Sequence, residues 1–470
     1  MPVFKDIYNM KLTVWGAAQQ VTGSMHLLQL SGYNVLIDCG LDYEKGTFQE
    51  ENQYFPFDPA SIDVVILTHA HIDHSGNLPT LVRMGFEGQI LATPPTADLT
   101  ELLLLDSVNV FISKQNKRYK NKRGKSGPQP LYLQKHVMET MDRFVTINFH
   151  KDFKLNDNIS LTFIPAGHLL GAAAVALTVN EDGTQKKIAF TGDIGRKGYP
   201  TLVNPETIPP VDYIVSEATY GGKFHSTETS LQDKLIDTIN EACIKFPGRL
   251  IIPAFSIGRT QALVYSLNKI FSSGLLPPVK IFVDSPLASF ATDIYRKHHH
   301  LLNEESQLFY STNGDEFEFD ELSYVGDKRE SASISNYHEP CIIISSAGML
   351  EGGRIQDHLY YNIQNYYCTI LFIGYCAKGT LGDRLLRGDP IVRLRNRDLM
   401  VYASIKQTDL LSGHGDHNDL LSNIRSQDPE SLKGVFLVHG ETSRMKALKD
   451  ALVQEGYIAN IPEKGETYEL

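Results

Sequence analysis

Four side chains able to ligate a metal stand within six residues of this chain, in the run Thr68-His69-Ala70-His71-Ile72-Asp73-His74, directly behind the apolar stretch Ile62–Leu67. In extended backbone, positions i and i+2 project to the same side, so His69 and His71 can share one ion. Asp73 and His74 follow where the chain turns toward a helix expected from Leu78, and they can reach a neighbouring ion. Imidazole and carboxylate together suit Zn²⁺ or a similar first-row cation. Packing three histidines and an aspartate together with no charge to satisfy them would be costly. The fold must therefore hold this loop at a strand end and bring further ligands to it.

Other strand ends supply them. His168 lies in Pro165-Ala166-Gly167-His168 behind Ile159–Ile164, Asp193 in Phe190-Thr191-Gly192-Asp193, and His439 in Val435-Phe436-Leu437-Val438-His439-Gly440. With the first cluster they complete two coordination shells, and a carboxylate at Asp193 can bridge two cations and lower their repulsion. Two metals about 3.5 to 4 Å apart hold a hydroxide at neutral pH and clamp an in-line displacement at phosphorus. Asp38, in Leu36-Ile37-Asp38-Cys39-Gly40, is a carboxylate placed to orient a ligand imidazole.

Up to about residue 217 the chain alternates short Val/Ile-rich strands with glycine turns, as at Lys11–Trp15, Asn34–Ile37, Ile188–Phe190 and Tyr213–Val215. From there to about Arg393, helical stretches (Ser230–Lys245, Thr260–Phe271) alternate with strands (Leu250–Pro253, Lys280–Val283, Cys341–Ile344, Thr369–Ile373), a βα pattern that predicts a parallel sheet. The strand–histidine loop–helix texture then returns. The expected organisation is one domain made of residues 1–217 and 394–470, with residues 218–393 inserted as a second.

Composition adds limits. At 470 residues, 42% hydrophobic and 21% charged, the chain has ample material for globular domains. It has no apolar run long enough for a membrane helix and no secretory layout at Met1-Pro2-Val3-Phe4-Lys5. The five cysteines are scattered, never spaced C-x-x-C, and predict a reducing, cytoplasmic setting. A net charge of −11 argues against indiscriminate coating of nucleic acid, though a local basic groove can still hold a phosphate backbone. Lys114–Lys125, with seven basic residues in twelve positions, is a candidate contact.

These motifs, in this order, resemble the metallo-β-lactamase superfamily and, within it, the β-CASP nucleases. Asp38, the His69–His74 run, His168 and Asp193 match the superfamily's first four motifs; Glu217, His414 and His439 look like β-CASP motifs A, B and C. The resemblance implies an αββα sandwich with an inserted parallel-sheet β-CASP domain. It places His69, His71 and His168 on one zinc and Asp73, His74 and His439 on a second, bridged by Asp193. It makes His414 the general acid for the leaving 3′ oxygen, with Glu217 polarising it and Asp38 and Asp73 counted among the catalytic groups. A positioned imidazolium contributes roughly 10² to 10⁴-fold by protonating a poor leaving group. The implied products are 5′-phosphate and 3′-hydroxyl ends, and the histidine at motif C favours RNA over DNA. Four signatures of the inserted domain carry the implied substrate contacts Arg259, Ser285, Ser346, Arg354 and Thr380, at turns whose backbone N–H groups suit anions.

Within the group the chain is most similar to the mRNA 3′-end cleavage nucleases and their stand-alone bacterial and archaeal relatives. No N-terminal KH-like extension and no RNase J C-terminal domain are expected; the bacterial likeness implies a homodimer. The competing readings are a small-molecule hydrolase on the same metal core, a DNA nuclease, and a scaffold subunit with eroded ligands; here every ligand position is filled. His298–His300 reads as a surface helix, His338 and His358 as structural, and His225 as a residue near the substrate.

Overall fold

In the strand Ile159–Pro165, Ile159, Leu161 and Phe163 are buried while Ser160 and Thr162 between them are half-buried. That two-residue period marks a strand with one face on a core. The computed structural model describes residues 10–30, 32–43, 52–119, 130–181, 183–226 and 229–470, and the chain divides into two units.

The first unit comprises residues 1–197, 204–224 and 414–470. Its first seven-stranded sheet runs in the order Glu466–Glu469, Lys11–Val14, His26–Leu30, Tyr33–Ile37, Val64–Ile66, Gln89–Ala92, Phe144–Thr146. The second runs Ala459–Asn460, Gly434–Val438, Tyr213–Glu217, Thr184–Phe190, Ala173–Glu181, Ile159–Pro165, Phe153–Lys154. The sheets share one core, to which the first gives Val14, Leu28, Ile37 and Ile66 and the second Phe163, Val175, Phe190 and Val215. Their outer faces are covered by helices. Leu78 and Leu81 of Leu78–Arg83 pack on Val65 and Ile90, and Leu420, Met445 and Leu448 of the helices His417–Ile424 and Thr442–Gln454 pack on Ile214 and Leu437. This is the αββα sandwich.

The second unit comprises residues 198–203 and 225–413. Its six-stranded sheet, in the order Leu322–Tyr324, Lys280–Asp284, Cys341–Ser345, Arg249–Pro253, Cys368–Phe372, Ser404–Gln407, is parallel at every pairing. Cys341–Ser345 is buried along its whole length, as befits a strand covered on both faces.

The expected domain boundary at residue 394 is corrected. Ser404–Gln407 adds to the edge of the second unit's sheet by pairing with Cys368–Phe372, so the chain rejoins the first unit at His414, and residues 218–224 stay with the first unit. The expected surface position of His298 is also corrected: it is only 6% exposed where the helix Pro286–Lys297 ends. The basic side chains of Lys114–Lys125 lie outside the described residues. Among the described residues, no helix is long and apolar enough to cross a membrane.

Candidate metal centre

Each expected ligand lies just beyond a strand end of the first unit, Asp73 and His74 in the short helix Ile72–Ser75 and the others on loops, and tight backbone contacts fix these segments. Ser24 N–H donates to the Asp73 carbonyl at 2.8 Å and Cys39 N–H to that of His74 at 2.7 Å. A side chain at Gly40 would meet the Asp73 carbonyl at 1.6 Å, and one at Gly195 would meet the Gly167 carbonyl at 1.9 Å. Glycine is therefore required where one ligand loop crosses another. Asp38 and His439 adopt φ of +59° and +50°, a conformation that costs a non-glycine residue energy and clusters at functional sites.

The structure brings all seven expected ligands together. His69 Nε2 and His168 Nε2 each lie 3.1 Å from His71 Nδ1, and Asp193 Oδ2 lies 3.6 Å from the first and 3.5 Å from the second. Four donors at about 2.0–2.1 Å from a tetrahedral cation would be about 3.3 Å apart, so these separations fit one ion. On the other side of the same carboxylate, Asp193 Oδ1 is 3.3 Å from His74 Nε2 and 3.6 Å from His439 Nδ1, and His439 Nε2 is 3.5 Å from Asp73 Oδ2. Asp193 Oδ1 and His439 Nε2 are buried and make no hydrogen bond of normal geometry. Orphaned buried donors and acceptors are rare, and a divalent cation beside Asp73, His74 and His439 would satisfy both. The nitrogen and carboxylate donors fit zinc.

Protonation follows the same division. Burial first, then the neighbouring imidazoles, hold His69 well below the ordinary histidine pKa, and burial brings His71 down to about 4 despite Asp73 and Asp193. Both are neutral, as ligands must be. At His74 burial is overcome by Asp193 and Asp38, which raise its pKa; at His439 it is overcome by Asp193 and Asp73. In the absence of a cation, the buried carboxylates draw protons onto these rings.

Asp38 stands behind His74 rather than at the reacting face. Its Oδ2 accepts from His74 Nδ1 at 2.7 Å and from Thr68 Oγ1 at 2.9 Å, and its Oδ1 from Thr68 N at 2.8 Å. The bond to Nδ1 turns Nε2 of His74 toward Asp193. Sequence reasoning missed two orienting hydroxyls, Thr68 and Thr219, and a third, Ser24, beside the Nε2 of His74. Thr68 Oγ1 is also 3.1 Å from His69 Nδ1, Thr219 Oγ1 is 3.0 Å from His439 Nδ1, and Ser24 Oγ is 3.5 Å from His74 Nε2. Thr68 and Thr219 each lie within two positions of a recognised motif residue, which was the available signal.

Beside the two donor sets, Glu217 Oε1 is 3.3 Å from His414 Nδ1 and accepts from Ile194 N at 2.6 Å; Oε2 accepts from Thr219 N at 3.2 Å. Glu217 is 1% exposed, whereas the His414 side chain is 19% exposed. The His414 ring lies 4.5 Å from the His168 ring, tilted by 44°, and the Gly415 N–H donates to the Ile194 carbonyl. A partly exposed imidazole is thus backed by a buried carboxylate at the edge of the histidine cluster.

The remaining expected contacts lie in the second unit. Ser285 Oγ is 3.1 Å from Ser256 Oγ and 3.0 Å from Ser346 Oγ, a row of hydroxyls across three neighbouring strand ends. The Arg259 guanidinium lies over the Phe255 ring at 4.7 Å. Arg354 and Thr380, expected to meet substrate, are engaged internally. Arg354 binds Asp284 and the carbonyls of Val325 and Gly326, and Thr380 caps the helix Leu381–Leu386. His225 is buried and lies 3.6 Å from Asp409; His358 binds Asp284.

Comparison with known proteins agrees with this architecture. Three family models match: the Beta-lactamase superfamily domain over residues 33–227, the Beta-Casp domain over 260–385, and the Zn-dependent metallo-hydrolase RNA specificity domain over 398–462. The chain is 30% identical to Ribonuclease TTHA0252 of Thermus thermophilus over 460 residues, covering 97% of this chain and 99% of that protein. It is 30% identical to Transcription termination factor FttA of Methanosarcina mazei, over 92% of this chain and 67% of the other. A crystal structure of a protein of unknown function from Enterococcus faecalis shares the fold, with a TM-score of 0.55 at 14% identity over 98% of this chain and 100% of that one. On these matches, which span nearly its whole length, the chain belongs to the β-CASP ribonuclease group of the metallo-β-lactamase superfamily and is a metal-dependent hydrolase.

Proposed function

We propose that the chain hydrolyses RNA phosphodiester bonds with two zinc ions, His69, His71 and His168 holding one, Asp73, His74 and His439 the other, and Asp193 reaching both. The observation that carries this reading is Asp193, whose two oxygens face two separate imidazole sets. When bound, such a pair supplies an activated hydroxide and neutralises charge on the phosphate. The chain's own residues do the rest. Asp38 and Thr68 orient His74 and His69, and Thr219 orients His439.

His414 donates the proton that the leaving 3′ oxygen requires, leaving 5′-phosphate and 3′-hydroxyl ends. Glu217, accepting from the Ile194 and Thr219 N–H groups, is fixed in place and favours the charged imidazole. Arg259, Ser285 and Ser346 contact the substrate backbone, with Arg354 and Thr380 holding the loops that present them. RNA is favoured by the name of the Thermus relative, a ribonuclease, and by the histidine at position 439. The free, buried cysteines fit a reducing compartment, and we place the chain in the cytoplasm. Sedimentation of the purified chain tests the homodimer that the bacterial likeness implies.

The test is cleavage of RNA labelled at either end, with DNA and a thioester as competitors, after loading with zinc. RNA products bearing 5′-phosphate are expected. Cleavage of the thioester or DNA with RNA left intact contradicts the reading.

A further inference from the structure

The second unit exposes a face that neither the metal centre nor its core explains. The segment Tyr360-Tyr361-Asn362-Ile363-Gln364-Asn365-Tyr366-Tyr367 holds four tyrosines in eight residues. Three of them are largely in solvent: Tyr361 is 58% exposed, Tyr366 74% and Tyr367 62%. Tyr402 joins them at 37% exposure. Its N–H donates to the Ile363 carbonyl at 2.9 Å, which holds it beside the segment. The rings of Tyr366 and Tyr402 lie 4.6 Å apart and 11° from parallel. The stack buries little of Tyr366, so its outer face stays open.

Arg395 lies against the start of this segment, on a hairpin that carries two further arginines. The hairpin Ile391–Leu394 and Arg397–Met400 turns at Arg395 and Asn396, both at positive φ. Its turn sets the Arg395 guanidinium 4.7 Å from the Tyr360 ring and 5.4 Å from that of Tyr361. Asp357 pairs with Arg395 and fixes it there. Arg393 and Arg397 are exposed on the same hairpin. Residues 391–402 carry three arginines against one aspartate, Asp398, in a chain of net charge −11.

Exposed aromatic rings cost hydration free energy unless something covers them. The parallel Tyr366–Tyr402 pair, with the Arg395 guanidinium against the neighbouring Tyr361 and further arginines on the same hairpin, offers what single-stranded nucleic acid needs: flat faces for bases and cations for phosphates. The three arginines outnumber Asp357 and Asp398 by one, an excess that favours a polyanion, and stacking is indifferent to base identity. We propose that this tyrosine–arginine face is a second contact site for single-stranded RNA, with bases stacked on Tyr361, Tyr366 and Tyr402 and phosphates against Arg393 and Arg397. The inference rests on the RNA reading of the metal centre and extends it from cleavage to grip.

The experiment uses the full chain and a fluorescent 20-nucleotide oligouridylate, bound in chelator so that nothing is cut. Tyr366→Ala with Tyr402→Ala is expected to weaken binding about ten-fold or more. Tyr366→Phe with Tyr402→Phe keeps the rings and is expected to bind within about two-fold of the parent. Arg393→Glu, an exposed change on the hairpin, weakens binding and lowers its salt dependence by about one ion. Hydrolysis of bis(4-nitrophenyl) phosphate by the zinc-loaded variants stays at the parent rate, which shows them folded and the metal centre intact. Unchanged oligouridylate affinity in the alanine and glutamate variants overturns the proposal. So does a loss of affinity that accompanies a halved native mass, which makes the face a contact between two copies of the chain. If the parent hydrolyses the small diester but neither binds nor cuts RNA, the RNA reading itself fails.

Discussion

Asp193 and Asp284 are both aspartates buried at or just past the end of a strand, one in each unit, with histidine close by. Asp284 is closed. It accepts from Arg354 Nη1, His358 Nε2 and Ser331 Oγ, each at 2.6 Å, and these bonds hold its pKa down against the burial that would raise it. Asp193 is open. Four imidazoles surround it at 3.3 to 3.6 Å, and one of its oxygens makes no normal hydrogen bond. A buried carboxylate needs its charge met locally. The second unit meets that need with arginine; in the first, the proposed cations would meet it.

The comparison breaks most visibly at Asp193. Asp193→Asn is expected to lower zinc content below two per chain and to cut RNA turnover by about a thousand-fold or more, since bound metal supplies several kcal/mol to the transition state. Elemental analysis beside a turnover assay checks both. His414→Ala should lose roughly 10² to 10⁴-fold in turnover with zinc content unchanged. If this variant loses metal instead, His414 is a ligand and the separation of acid from ligands is wrong. Asp284→Ala should do the reverse, destabilising the protein by about 3–5 kcal/mol in denaturant titration while zinc content holds. Zinc loss in that variant would erase the contrast between the two aspartates.

Two smaller effects sharpen it. Asp38→Asn should weaken zinc binding about 10- to 100-fold by freeing the His74 ring, as competition with a chelator would show. Acidification should weaken it too. His74 and His439 hold protons more tightly than ordinary imidazoles because of Asp193, Asp38 and Asp73, and metal must displace those protons. Lowering the pH from about 8 to about 6 therefore reduces affinity, with proton release on binding measurable by calorimetry in buffers of different ionisation enthalpy. Affinity independent of pH would mean that these two rings are not ligands.

The convergence of these seven side chains was legible because residues able to ligate are rare and local: His69, His71, Asp73 and His74 fall within six positions, and the other three follow strands that the period of the sequence reveals. The orienting hydroxyls were not, since threonine and serine are common and nothing in their spacing marks Thr219 as the partner of His439. Ser404–Gln407 escaped notice as part of the inserted sheet because pairing at an edge depends on which strand lies alongside, and sequence texture carries no such information. Arg354 looked free for phosphate in the glycine-rich loop Gly352-Gly353-Arg354. Only the fold brings Asp284, 70 positions earlier, to meet it.

The account turns on Asp193 standing between two cations. Anomalous diffraction at the zinc edge from crystals of the zinc-loaded chain tests this most directly. Two peaks are predicted, one beside His69, His71 and His168 and one beside Asp73, His74 and His439, with an Asp193 oxygen on each. A single peak, or a pair that leaves Asp193 bound to neither, would contradict it.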